Sequence, residues 1–270
     1  MKRKTSDEKR ETSHPAPLTG RGIVVTRPAR QAERLAALIR AAGGEAIVYP
    51  VIEIREVDDA QRLNDLIDRL DAFDLAVFVS PNAAQQALRV IRARRALPAG
   101  LVIAAVGPGT ARELAGLGIA GVASPAGRGD SESLLALPLL ADPRGKRVAV
   151  FRGEGGRELL AEELTARGAV VEYATCYRRV RPDTDPAPLI DAWAGGRLHA
   201  VTVTSSEGLR NLCAMLGAAG RALLAQTPVF VPHPRIAETA RDLGMASVTV
   251  AGKPGDDGLV AAMAAHFSAR

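Results

Sequence analysis

Residues 22–48 of the chain read GIVVTRPARQAERLAALIRAAGGEAIV, and residues 147–173 read RVAVFRGEGGRELLAEELTARGAVVEY. Each opens on a short apolar run, turns through polar residues into an amphipathic stretch, and closes on a glycine before a second apolar run. Their overlay pairs Arg27 with Arg152 and Gly43 with Gly168 at an offset of about 125 residues. A buried strand, an amphipathic helix and a second buried strand imply a parallel sheet with helices laid on it.

The same offset persists in two further blocks. LAVFVSPNAAQQAL (75–88) matches AVTVTSSEGLRNL (200–212), pairing Ser80 with Ser205. GPGTARELAGLGIAGV (107–122) matches HPRIAETARDLGMASV (233–248), pairing Ala111 with Ala237 and Gly118 with Gly244. Strands are predicted at 22–26, 46–49, 75–79, 101–106, 147–151, 170–174, 200–204 and 228–231. Helices are predicted at 31–42, 83–94, 110–117, 157–167 and 236–243. The fold class expected is α/β, with two doubly wound parallel-sheet domains.

Composition narrows the function. The 270 residues are 47% hydrophobic with only 1 Trp, 3 Tyr and 5 Phe, so Ala, Leu and Val must build the interior. The net charge is +5, of which +2 falls in residues 1–13. A mildly basic body suits an anionic ligand, but no basic–aromatic interleaving speaks for nucleic acid. Cys176 and Cys213 cannot make a disulfide framework, and no histidine has a metal-ligand neighbour at useful spacing. No apolar run reaches the roughly 18–20 residues of a membrane span. Residues 1–19 read as a disordered basic tail, the chain as cytoplasmic.

In open parallel sheets, ligands bind beyond the carboxyl ends of the strands, where loops feed helix N-termini. The candidate binding residues cluster in those loops: Arg27; Ser80 and Asn82; Gly107 and Thr110; Arg152; Ser205 and Ser206; His233 and Arg235. Free N–H groups at helix starts attract carboxylate or phosphate. Ser80, Ser205 and Thr110 are equally readable as simple caps. Arg27 and Arg152 are preferred as ligands, because folding does not call for an arginine after the strand in both copies. Glycines 153, 155 and 156 form no nucleotide fingerprint, and no activated-serine set is present.

Residues 50–57 and 172–182 leave the α/β pattern for alternating β-branched chain at matching places in the two copies. They read as linkers crossing between domains and paired with each other. One domain is then 20–49 with 183–270, and the other 58–171. Tyr177 lies on the second linker, where its phenol is the candidate catalytic donor. Cys176 beside it reads as packing, having no basic partner.

The motifs in order are Arg27-Pro28, Tyr-Pro-Val-Ile-Glu-Ile (49–54), Phe-Val-Ser-Pro-Asn-Ala (78–83) and Ala-Val-Gly-Pro-Gly-Thr-Ala (105–111). Thr-Cys-Tyr-Arg (175–178), Val-Thr-Ser-Ser-Glu-Gly (203–208) and Pro-His-Pro-Arg-Ile-Ala (232–237) follow. In this order and spacing the chain resembles the uroporphyrinogen-III synthase family over about residues 20–265. The resemblance implies two α/β domains joined by a two-stranded antiparallel linker ladder. It implies cyclisation of hydroxymethylbilane to uroporphyrinogen III with inversion of the last pyrrole ring, without a cofactor. The family's tyrosine maps onto Tyr177 and its loop threonine onto Thr110. The partner implied is an anionic linear tetrapyrrole, bound by a monomer in transient contact with the preceding pathway enzyme. Arg235-Ile236 stands where a second threonine would fall, so no hydroxyl carries over there. The rival reading is a non-enzymatic tetrapyrrole- or anion-binding regulatory module on the same fold.

Overall fold

Strand β1 (Gly22–Val25) is buried along its whole length. Its parallel partner β2 (Glu45–Val48) is reached through helix α1 (Ala29–Ala41). Pro28 caps α1 at no cost, since the N–H it lacks would have had no helical partner. Ala32, Leu35, Ala36 and Ile39 form the buried stripe of α1, at helical spacing. Gly43 then takes φ +87°, and its counterpart Gly168 takes φ +89°. Only glycine accepts this left-handed geometry without strain, which is why both copies end their helix on one.

The computed structural model describes residues 16–127, 129–156 and 158–269. After β2 the chain forms β3 (Glu53–Arg55), α2 (Gln61–Asp68), β4 (Leu75–Phe78), α3 (Pro81–Arg94), β5 (Val102–Ala105), α4 (Pro108–Gly116) and α5 (Ser131–Leu135). It continues with β6 (Arg147–Gly153), α6 (Leu159–Ala166), β7 (Val170–Val180), α7 (Ala187–Ala194), β8 (Ala200–Thr202) and α8 (Ser206–Gln226), which kinks at Gly217. The last elements are β9 (Val229–Val231), α9 (Pro234–Asp242), β10 (Val248–Val250) and α10 (Asp256–Ser268).

Two compact units result: one ends its first segment at Glu53 and resumes at Arg181, and the other is Ile54–Val180. Their sheets run β10-β9-β8-β1-β2 and β3-β7-β6-β4-β5. The pairs β1/β2, β1/β8, β8/β9, β9/β10, β4/β5, β4/β6 and β6/β7 are all parallel. The repeat is visible here: β1, β2, β8 and β9 occupy the sheet places of β6, β7, β4 and β5. A parallel bridge from Ala104 to Ala123 stands where the first unit has β10 beside β9.

In the second unit, Leu66, Leu88, Leu114 and Phe151 belong to a core on one face of the sheet, beneath α2, α3 and α4. Leu134, Val148, Val150 and Leu164 build the other face, beneath α5 and α6. Phe78 and Phe151, directly paired across β4 and β6, stack with centroids 4.8 Å apart. Such a pair adds about 0.5–1.5 kcal/mol beyond its area. In the first unit, Ile23, Leu35, Phe230, Leu259 and Met263 share a core under α1 and α10.

Two boundaries differ from expectation. The tail drawn to residue 19 runs too far. Leu18 is fully buried in the first unit's core, and its N–H bonds to the carbonyl of Ala42. An apolar side chain beside the end of α1 gains more from burial than its ordering costs. The remainder of that tail, residues 1–15, lies outside the described residues. The segment 172–182, read as a linker, is part of β7 as far as Val180, hydrogen-bonded to β6 through the Gly153–Tyr177 pair. Within the segment 50–57, β3 is an edge strand beside β7.

Candidate functional site

In the second unit the connection order reverses between β4 and β6. The chain leaves β4 into α3 on one face and leaves β6 toward α6 on the other. Loops diverging to opposite faces open a crevice at the carboxyl ends of the strands. A cavity of about 360 Å³ lies there, lined among others by Ser80, Asp130, Arg152, Gly153, Tyr177 and Arg179.

Tyr177 is buried, and its Oη lies 3.1 Å from Oγ of Ser80. Ser80 caps α3 by accepting the Ala83 N–H at 3.1 Å, with Pro81 opening the helix behind it. The β6–β7 register shifts between Arg152 and Gly153, which brings Gly153 opposite Tyr177. The phenol ring lies flush against that glycine: an added Cβ would stand 2.5 Å from Cζ and 2.9 Å from Oη. The Glu154 N–H donates to the Tyr177 carbonyl at 2.8 Å, fixing the strand end.

Arg152 is buried and held by Glu158, Gly155 and Tyr173. Its Nη1 donates to Glu158 Oε1 at 2.9 Å and its Nη2 to the Gly155 carbonyl, while the guanidinium sits 4.5 Å over the Tyr173 ring. Tyr173 Oη donates to the other carboxylate oxygen of Glu158. That bond, then Arg152, holds the Glu158 carboxyl below its usual range. Burial first, and the glutamate second, push the Tyr173 phenol up to about 12. The arginine therefore shapes the glycine-rich turn at 153–156, a folding role that nothing in the linear pattern announces.

The start of α4 stands close by. A Cβ at Gly107 would come 2.5 Å from Cα of Gly129, so only glycine lets the two loops touch. Thr110 is buried on the first turn of α4 and is not among the residues lining the cavity. Asn82 lies on the first turn of α3. Asp130 caps α5 through the Ser133 N–H.

In the first unit the reversal falls between β1 and β8. Arg27, after β1, pairs with the buried Asp256 at 2.7 Å. Asp256 opens α10, where the helix dipole favours a carboxylate. Ser205 caps α8 through the Gly208 N–H at 2.9 Å, and the Ser206 hydroxyl meets that of Thr239 at 2.9 Å. His233 caps α9 with backbone alone, and Arg235 on its first turn is exposed. The candidates thus divide between the units: Ser80, Asn82, Gly107, Thr110, Arg152 and Tyr177 in one, and Arg27, Ser205, Ser206, His233 and Arg235 in the other.

Tyr173, Glu158 and Asp256 go unnamed in the sequence reading, and Gly153 enters it only as a glycine without a nucleotide fingerprint. The only sequence signal for Gly153, Tyr173 and Glu158 was proximity to Arg152 and Tyr177. Asp256, more than two hundred residues from Arg27, had none. Cys176 packs with Sγ near the carbonyls of Ala83 and Arg152, and burial pushes its thiol up to about 12. Among the described residues no group of three or more His, Cys, Asp or Glu is placed to hold a metal ion. No helix of them is long and apolar enough to cross a membrane.

Duplicated doubly wound units, with helix starts and arginines gathered in the strand-end loops, define a class of open-sheet α/β proteins whose ligand sites lie at the carboxyl ends of the strands. The chain belongs to the uroporphyrinogen-III synthase family: residues 33–261 match the family described as Uroporphyrinogen-III synthase HemD. It is 34% identical to the uroporphyrinogen-III synthase of Salmonella typhimurium and 33% identical to that of Escherichia coli. Each match covers 89% of this chain and 99% of the relative. The fold is similar to a crystal structure of a mutant uroporphyrinogen III synthase from Thermus thermophilus, with TM-score 0.57 and 22% identity over 92% of this chain and 98% of that one. It is also similar to uroporphyrinogen-III synthetase from Helicobacter pylori, with TM-score 0.56 and 15% identity over 93% of this chain and all of that one. The resemblance carried by the order of the sequence motifs is thereby borne out.

Proposed function

We propose that this chain is a lyase that cyclises hydroxymethylbilane to uroporphyrinogen III, inverting ring D and releasing water, in haem biosynthesis. The observation that carries the site assignment is the buried Tyr177 phenol on the wall of a strand-end cavity beside a helix start. Tyr177 donates its proton to the departing hydroxyl, giving an electrophilic azafulvene. Ring D then attacks through its substituted carbon, and the spiro intermediate rearranges to the inverted macrocycle. The reaction is redox-neutral, and the proposed scheme routes no step through a cofactor. Its demand is geometric, and holding a near-attack arrangement supplies effective molarities of about 10⁵–10⁸ M.

The residues proposed to hold acetate and propionate arms are those at the helix starts: Ser80, Asn82, Gly107, Thr110, Ser205, Ser206, His233 and the exposed Arg235. Arg27 and Arg152, preferred from the sequence as ligands, hold their loops through Asp256 and Glu158, and those carboxylates offset their charge toward an anionic substrate. The two domains are proposed to be the compact units themselves, the first from about Leu18 to Glu53 and again from Arg181, the second Ile54–Val180, in place of the bounds expected from the sequence. Antiparallel pairing of the segments 50–57 and 172–182 is proposed for β3 and β7, and their being neighbours in the second sheet supports it. The enzyme is proposed to act as a cytoplasmic monomer that takes its unstable substrate by transient contact with the preceding enzyme.

The test is an isomer assay. Purified protein receives freshly generated hydroxymethylbilane, the products are oxidised, and type I and type III porphyrins are separated chromatographically. Predominant type III is expected. Type I alone, at the spontaneous rate, overturns the reading in favour of a binding module.

A further inference from the structure

We infer that Ser80 is a positioning residue that acts through Tyr177, donating its hydroxyl proton to the phenol oxygen so that the phenol's own proton is aimed into the cavity. This rests on the reaction proposed above.

A serine hydroxyl has one proton and two lone pairs. At Ser80 one lone pair is taken by the Ala83 N–H at 3.1 Å, and Tyr177 Oη lies 3.1 Å away on another side. The same oxygen sits at the positive end of α3, a helix of 14 residues. Either hydroxyl can donate across this pair; the direction we infer is Ser80 O–H to Oη, the one that leaves the phenol's proton for the cavity and sets the α3 N-terminus behind charge developing on Oη. Tyr177 Oη then accepts one bond and keeps its proton for a third group. The ring cannot back away, because Gly153 lies against it. Both the height and the rotation of the phenol are therefore set by Ser80 and Gly153, which lie beside it on the cavity wall.

The arrangement matters at the moment of transfer. The phenol O–H bond breaks as the substrate's C–O bond breaks, and the hydroxyl leaves as water. Charge developing on Oη meets the Ser80 O–H, with the α3 N-terminus behind it, already oriented. The proton released when the macrocycle closes and regains aromaticity returns to Oη, so the cycle balances.

Three variants separate this role from capping and from carboxylate binding. Ser80→Thr keeps both cap and donor, and should retain kcat within about threefold. Ser80→Asp still caps Ala83 but has no proton to give and draws the phenol proton to itself. Its kcat should fall about 10-fold or more at unchanged Tm. Ser80→Ala should lower kcat comparably and lower Tm as well. Steady-state rates on hydroxymethylbilane are read as kcat apart from KM, since an added carboxylate also repels an anionic substrate. Wild-type kcat in Ser80→Asp, or a rise in KM alone in Ser80→Ala, overturns the inference. Type I product alone from the wild-type protein overturns the reaction and the inference together.

Discussion

Gly153 and Tyr177 face each other across β6 and β7 with no space between them: a methyl group on the glycine would stand 2.5 Å from Cζ of the phenol. Cβ atoms do not approach ring carbons so closely, so the ring must rotate or β6 must shift. Gly153→Ala should therefore displace the phenol from Ser80 and lower kcat by about 10–100-fold, since small misplacements are costly in a reaction governed by geometry. Overpacking should also cost about 1–3 kcal/mol of stability. Turnover and urea denaturation on the same preparation check both. Unchanged kcat would mean the phenol's position is immaterial.

Glu172 anchors the far end of β7. Arg69 donates to both its carboxylate oxygens, at 3.0 and 2.6 Å, and Arg147 donates to one at 2.9 Å. The bonds from Arg69 first, then Arg147, hold its carboxyl below the ordinary value of 4.5. A lowered folded-state pKa means stability that is present above the unfolded-state value and lost as pH falls through the folded one. The urea midpoints of wild type and Glu172→Gln should differ at pH 7 and converge as pH drops below about 4.5. A gap that stays constant down to pH 3 would assign the effect to packing.

Both thiols should be inert in the folded enzyme. Burial pushes Cys176 up to about 12 and raises Cys213 as well. Because the thiolate is the nucleophile, a disulfide reagent at pH 8 should label neither at an appreciable rate until denaturant is added, and then both. Rapid labelling of Cys176 under native conditions would show that β7 opens readily.

The sheets were legible because their central strands are near-continuous apolar runs with both faces covered. Each of the eight strand expectations lies within two residues of an observed strand start. The 11-residue β7 read as a strand plus a linker, since its alternation continues past the point where its counterpart β2 stops. Helix α10 went unread because DDGLVAAMAAHFS spreads small apolar residues around its circumference and shows no stripe. In α8 the break at Gly217 interrupts the period. For the site, the loops were legible through Pro28, Pro81, Pro108 and Pro234, which mark helix starts. The bonds that close those loops were not. Arg27 finds Asp256 only after the chain has returned through the second unit, and Glu158 meets Arg152 only because glycines let the turn fold back.

The most direct test of the central claim, that a positioned Tyr177 phenol assists ring closure with inversion, is the product isomer ratio of Tyr177→Phe beside wild type. The substitution keeps the ring on Gly153 and removes only the hydroxyl. The variant should fold normally, turn over about 10–100-fold more slowly, and let spontaneous type I product appear beside type III. Type III formed by Tyr177→Phe at the wild-type rate would contradict the account and remove the phenol from the chemistry.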